Sequence, residues 1–269
     1  MALITLVSAS GSPGVTTTAL GLALAWPRPV LLVEADPTGG SALLTGYWRG
    51  QRDHTGLLEL VMAERHGVLA DALPRMVIPI EGTDVAVVAG TKSHEQAPGL
   101  ARLWDPLLLV LQDLSGQDVI VDAGKLGNEY SPKPLIRFSD VTLLVTHSNL
   151  PALAAARSWA KTLADEIVPG HDAKIVLVGE GRKYRAAEIA KTLGLPVLAS
   201  IDWDPARAEV FSLGASFPPA RFGGEQGAER AFEQSRYLRS VRTLATALAR
   251  SGVAGNEAMS GREDSRHAR

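Results

Sequence analysis

The residues Ala9-Ser10-Gly11-Ser12-Pro13-Gly14-Val15-Thr16-Thr17-Thr18 lie between an apolar run and a stretch rich in Ala and Leu. Glycines at a strand-to-helix junction let successive backbone N–H groups curl around an anion, and the start of the helix adds partial positive charge. The chemistry on offer is capture of a phosphate. Two further apolar runs end in acids, as Leu31-Leu32-Val33-Glu34-Ala35-Asp36-Pro37 and as Val119-Ile120-Val121-Asp122-Ala123-Gly124. A carboxylate at such a strand end can hold Mg²⁺, partly through water, beside a bound phosphate. Each site also has a plainer use: Gly11, Pro13 and Gly14 suit a tight turn with Thr16 as helix cap, and Asp36 and Asp122 suit capping of turns or helices. Three such sites in one order favour the phosphate and Mg²⁺ reading.

Positioning these groups requires a particular scaffold. Val/Ile/Leu-rich runs at 2–8, 30–35, 84–89, 118–123, 140–146, 173–178 and 196–200 read as strands. Helical stretches fit at 16–25, 41–47, 56–66, 99–114, 151–167, 184–193, 205–213 and 226–250, with Pro27-Arg28-Pro29 stopping the first. Strands apolar throughout and separated by helices predict an α/β fold, a doubly wound and mostly parallel sheet with helices on both faces. Ligands of such sheets bind at the carboxyl ends of the strands, where the acids fall. The 269 residues show no linker, so one domain is expected over 1–250, and the polar residues 251–269 read as a disordered tail. A net charge of -2 exerts no global pull on nucleic acid. The chain has no Cys, which removes disulfides and thiol chemistry and is compatible with a reducing cytoplasm. No basic start precedes an apolar segment, and no apolar run reaches ~18 residues, so neither secretion nor membrane insertion is expected.

Against the phosphate-loop pattern GxxxxGK[ST], Ala9 stands at the first Gly, Gly14 matches, Val15 takes the lysine position and Thr16 offers the hydroxyl for Mg²⁺. The chain resembles the ParA/MinD family of deviant Walker A ATPases, which have the P-loop NTPase fold, a loop reading KGGxGKTT and a second strand that commonly ends DxDPQG. In that alignment Ser10 takes the signature lysine, Gly11 and Gly14 match glycines, Ser12 replaces one, Pro13 falls at the variable position, Val15 takes the second lysine, and Thr16 and Thr17 match. Glu34-Ala35-Asp36-Pro37-Thr38-Gly39 matches DxDPQG, placing Asp36 at a catalytic carboxylate. Residues 55–60, 85–90 and 186–196 resemble further family segments, and Ile201-Asp202-Trp203-Asp204-Pro205 resembles an IPWDP-like stretch near the base, which brings in Asp204 and Pro205 as nucleotide contacts. The resemblance implies ATP or ADP and Mg²⁺ as ligands, Thr16, Asp36 and Asp122 around the metal, and a homodimer.

The departures from the family pattern carry their own expectations. A lysine 4 Å from phosphate is worth about 4 kcal/mol at an effective dielectric of 20, before desolvation. Neither Ser10 nor Val15 supplies it. Phosphoryl transfer depends on positioning and charge, so hydrolysis should be very slow or absent. Gly179 stands where relatives often carry an adenine-contacting Asn, and Lys125 or Lys92 is a candidate substitute cation, although exposed lysine explains both. The six His have no metal-ligand spacing. Arg230, Arg236, Arg239 and Arg242 could form a DNA-binding strip, but Glu225, Glu229 and Glu233 share the region and suit a solvated mixed face. Two functions follow: a degenerate pseudo-ATPase that positions a partner machine, similar to the TadZ/CpaE-like proteins of Tad-type pilus or secretion systems, or an active chromosome or plasmid partitioning ATPase. Phosphate transfer to a second substrate finds no second motif.

Overall fold

The computed structural model describes residues 1–10, 13–52, 56–180 and 183–264, with side chains described up to Arg250. Gly11, Ser12 and Thr55 lie outside the described residues.

Eight strands form one sheet: β1 (Leu3–Ser8), β2 (Val30–Glu34), β3 (Ile78–Pro79), β4 (Val85–Val88), β5 (Asp118–Lys125), β6 (Val141–His147), β7 (Asp172–Val178) and β8 (Val197–Ile201). Their order is β3-β4-β2-β5-β1-β6-β7-β8, parallel except for β3 against β4. All seven expected strands are present. The additional β3 is a two-residue edge strand containing Pro79, too short for a periodic signal and tolerated only where a missing N–H faces no neighbour.

The central strands bury both faces, which is why their sequences are apolar throughout rather than alternating. In β2, Leu31 and Val33 join one core with Leu60 of α2 (Leu57–Arg65), Leu107 of α5 (Trp104–Gln112) and Ala156 of α7 (Leu150–Glu166). Val30 and Leu32 face the other way, into a second core with Leu20 of α1 (Val15–Leu24), Phe211 of α9 (Pro205–Ser212), Phe232 of α10 (Gly224–Glu233) and Val241 of α11 (Arg236–Asp264). Short helices α3 (Leu69–Ala72), α4 (Ala97–Leu100) and α6 (Lys133–Arg137) and the longer α8 (Ala186–Leu193) pack on the first face.

Helix boundaries depart from the sequence reading in three places. The stretch 99–114 divides into α4 and α5, and only 43–47 of the stretch 41–47 closes, as a π-helical turn. The helix expected at 226–250 is two helices, because Ser235 ends one with its amide on Phe232 and begins the next by accepting the Leu238 N–H at 3.1 Å. The backbone of α11 runs on to Asp264, past residue 250 where the sequence reading ended its last helix. Ala, Glu, Met and Arg in that segment have helix propensity even without an apolar face.

Candidate functional site

Strand β1 delivers the chain to the phosphate-loop region, and α1 leaves it. Gly14 caps α1 at φ +89°, a left-handed conformation open to glycine, and its carbonyl accepts the Thr18 N–H at 2.8 Å. Among the described residues no side chain caps this end, so Thr16 is not an N-cap and its hydroxyl is available for other contacts. Pro13 is buried, and Thr16 and Thr17 are half-buried. Val15 is buried in the second core with Ile4, Leu6 and Ala19. The lysine position has become part of the packing.

Three carboxylates converge at the adjacent strand ends, because β2 and β5 are neighbours with Glu34 in register with Asp122. Glu34 is fully occupied: Ser41 donates to Oε2 at 2.5 Å, Gly90 N–H to the same oxygen at 2.8 Å, and Leu43 N–H to Oε1 at 3.1 Å. Burial raises its pKa, and these donors oppose the rise. Its role is to clamp the loop after β2 to the end of β4. Asp36 accepts the amide and hydroxyl of Thr38 on Oδ1, which is the turn-capping use, while its Oδ2 faces the β5 end. Gly124, at φ +63°, admits that approach, since a Cβ there would lie 2.1 Å from Asp36 Oδ2.

Asp122 differs from both neighbours. Its Oδ1 accepts Gly124 N–H at 3.0 Å, but the buried Oδ2 meets no hydrogen-bond partner among the described residues. Burial pushes its carboxyl up to about 7; the nearby Thr16 hydroxyl favours the charged form without completing a bond to Oδ2, and Glu34 and Asp36 add repulsion. An orphaned buried carboxylate oxygen beside a hydroxyl and a second carboxylate fits a hard divalent cation. Among the described residues no three or more His, Cys, Asp or Glu side chains form a metal site by themselves. Mg²⁺ held here would therefore draw most ligands from phosphate and water. Lys125 is exposed at the end of β5, in register with Ser8, and forms no ion pair among the described residues.

A cavity of about 250 Å³ adjoins the start of α1. Its walls include Pro13, Gly14 and Thr17 on one side and Trp203, Asp204 and Pro205 on the other. The loop after β8 thus comes to the phosphate loop through the fold, although nearly 190 residues apart. Asp204 caps α9 by accepting Arg207 N–H at 3.1 Å and is paired with the Arg207 guanidinium, so its carboxylate is already engaged. His147, at the end of β6, stands edge-on to Trp203 with ring centroids 5.2 Å apart. Tyr237 of α11 closes the wall; burial raises its hydroxyl pKa, and Asp204 adds to the rise. The sequence reading passed over His147 and Tyr237. A lone His and a helix Tyr carry no spacing signal, and only β6 and α11 bring them here. Gly179 lies outside this wall with its backbone spent, donating to Ile201 O at 2.8 Å and accepting Ser148 Oγ at 2.6 Å.

No protein-family profile and no curated protein matches the chain. Solved structures do. A ParA family ATPase from Chlorobium tepidum aligns with a TM-score of 0.71 at 18% identity, covering 91% of this chain and 97% of that one. The cell division ATPase MinD of Pyrococcus furiosus aligns at 0.70 and 19% identity, covering 93% and 99%. The chain has the fold of the ParA and MinD ATPases. The septum site-determining protein MinD of Pyrococcus horikoshii, solved with Mg-ADP, aligns at 0.65 and 20% identity over 90% and 93%. The eight-stranded, mostly parallel sheet with helices on both faces is accordingly a P-loop NTPase fold. Among the described residues, no helix is long and apolar enough to cross a membrane.

Proposed function

We propose that this chain is an atypical ParA/MinD-like protein that binds ATP or ADP with Mg²⁺ at the carboxyl edge of the sheet, turns it over very slowly or not at all, and positions a partner machine. The observation that carries this reading is Asp122, buried with one oxygen unpartnered beside Thr16 and Asp36. Gly14 and the start of α1 offer backbone N–H groups to phosphate, and Thr16, Asp36 and Asp122 would hold the metal, partly through water. Mg²⁺ would neutralise phosphate charge. Val15 argues against efficient hydrolysis, because its side chain is buried in the core and supplies no charge to a transferring phosphoryl group. Asp36 is then a residual catalytic carboxylate in a site that mainly binds.

A homodimer and a protein partner, a component of a Tad-type pilus or secretion system as in TadZ/CpaE-like proteins, fit a cytoplasmic binding protein of this fold. Partitioning of DNA is the weaker alternative. Arg236 is already paired with Asp202 at 3.2 Å and Arg242 with Glu233, which leaves half of the arginine strip engaged within the chain. Division of the chain into a domain over 1–250 and a tail belongs to the same proposal.

Calorimetry with ATP, ADP and Mg²⁺ tests the reading. Magnesium-dependent binding that disappears in Asp122→Ala is the expected result, with turnover well below ~1 s⁻¹, the low end of ordinary enzymes. Absence of binding, or turnover at that rate, overturns it.

A further inference from the structure

A second cavity, of about 730 Å³, shares no residue with the one beside α1. It lies where the turn after β3, the end of the π-helical turn 43–47, the loop after α9 and the first turns of α10 meet. Ile80, in its wall, donates its amide to Val85 O at the amino end of β4, whereas the phosphate loop and its acids stand at the carboxyl ends of their strands. The volume falls within the roughly 300–1,000 Å³ of sites that enclose a small ligand. Tyr47 and Trp48 form one side, edge to face with ring centroids 5.5 Å apart, and Phe217, 37% exposed, adds a third ring. Three carboxylates, Glu81, Glu225 and Glu229, share the lining with a single cation, Arg52. Arg52 spends its charge on Glu81 at 2.6 Å, and neither Glu225 nor Glu229 enters an ion pair among the described residues. Arg49, on the rim, is held by the carbonyls of Leu213 and Gly214, and Arg230 lies outside the lining. The start of α10 favours the charge of Glu225, but Glu229 sits one turn on with like charge, and the two repel.

We propose that this cavity binds an extended organic cation, an alkyl stem carrying two or more ammonium or guanidinium groups, with the stem and one charge against Tyr47 and Trp48 and another charge between Glu225 and Glu229. A cation beside an aromatic face is attracted by the ring quadrupole, and an alkyl stem covers apolar surface while its charged ends stay near water or carboxylate. A bare metal ion is a poorer fit, because among the described residues no three acidic or His side chains come close enough together to hold one. Charge spread along the wall suits charge spread along a ligand. A free aliphatic polyamine and the lysine or arginine side chains of a protein partner share this chemistry. The site is independent of nucleotide binding at the carboxyl edge.

The test is calorimetry on the full chain without nucleotide, with spermidine and with trilysine blocked at both ends as probes. Saturable binding that weakens with salt is expected. Glu225→Gln and Glu229→Gln should each weaken it by about fivefold and together by roughly twentyfold. Both glutamates are exposed, so these variants should fold. Trp48→Leu should cost about threefold by removing the ring, and Trp48→Phe should keep most of the affinity. Asp165→Asn with Glu166→Gln makes the same charge change at exposed positions of α7 and should leave affinity unchanged. Tighter binding of spermidine assigns the site to a free polyamine, and tighter binding of trilysine assigns it to side chains of a partner. The proposal is overturned if neither probe binds saturably, if the Glu225 and Glu229 double variant binds as the parent does, or if the α7 variant weakens binding as much.

Discussion

Strand β5 begins with one buried aspartate and carries a second in its carboxyl-terminal half, and the two are surrounded in opposite ways. At the amino end, Asp118 accepts Ala2 N–H on Oδ1 at 2.7 Å, and Trp26 Nε1–H at 2.8 Å and the Arg28 guanidinium at 2.7 Å on Oδ2. Three donors from two segments meet there and tie the start of β1 and the loop after α1 to the sheet. Four residues on, Asp122 has among the described residues one donor in hydrogen-bonding geometry, an unpartnered oxygen and two carboxylates for neighbours. A charge satisfied within the fold stabilises it, whereas one left unsatisfied costs stability and is retained where something else can complete it. The first is architecture and the second is the candidate site.

The largest expected effect breaks the comparison at Asp122. A carboxyl raised from 3.8 to about 7 binds its proton more tightly in the folded than in the unfolded chain. Stability therefore falls as pH rises between those values and levels off above, by up to about 4 kcal/mol from this group, and Glu34 adds in the same direction. Asp122→Asn should raise the denaturant midpoint at pH 8 and leave it nearly unchanged at pH 4, while Mg²⁺ with nucleotide should raise only the parent's. Equal pH profiles for parent and variant would show that Asp122 is not a strained group.

Asp118→Ala should act in the opposite sense, lowering stability by about 3 kcal/mol, because it strands the buried Trp26 and Ala2 donors. Arg28 adds little to this, being half-open to solvent. Chemical denaturation of the two variants side by side is the direct measurement.

Val15→Lys sharpens the contrast between core and site. Apolar burial is lost and the ammonium must reach past the helix start to water or phosphate, so a cost of about 2 kcal/mol is expected, offset in part by added ATP. Thermal shifts with and without Mg-ATP report both. Lys125→Ala should change stability by less than about 0.5 kcal/mol, since the side chain is exposed. If Lys125 substitutes for the missing lysines, the same variant weakens ATP binding, which calorimetry measures; unchanged affinity removes it from the site.

Seven strands, the two-faced sheet and the positions of Asp36 and Asp122 were legible in the sequence because parallel strands buried on both faces are written as unbroken apolar runs. The breaks at Ala101–Leu103 and at Ser235 were not, since local pattern carries no record of where a helix must turn to stay on the sheet. The Trp203–Asp204–Pro205 stretch was noticed only as a motif, and His147 and Tyr237 not at all.

By itself the sequence determined the class of fold, the order of the loops at the carboxyl edge and the loss of both lysines. Residue type and spacing suffice for these. Only the tertiary structure decided that Glu34 is a clamp, that one oxygen of Asp122 lacks a partner among the described residues, that Val15 belongs to the core, and that Trp203 and His147 flank the cavity beside α1. Those properties depend on which atoms distant segments bring within hydrogen-bonding or van der Waals reach, and on how much water the surrounding chain excludes.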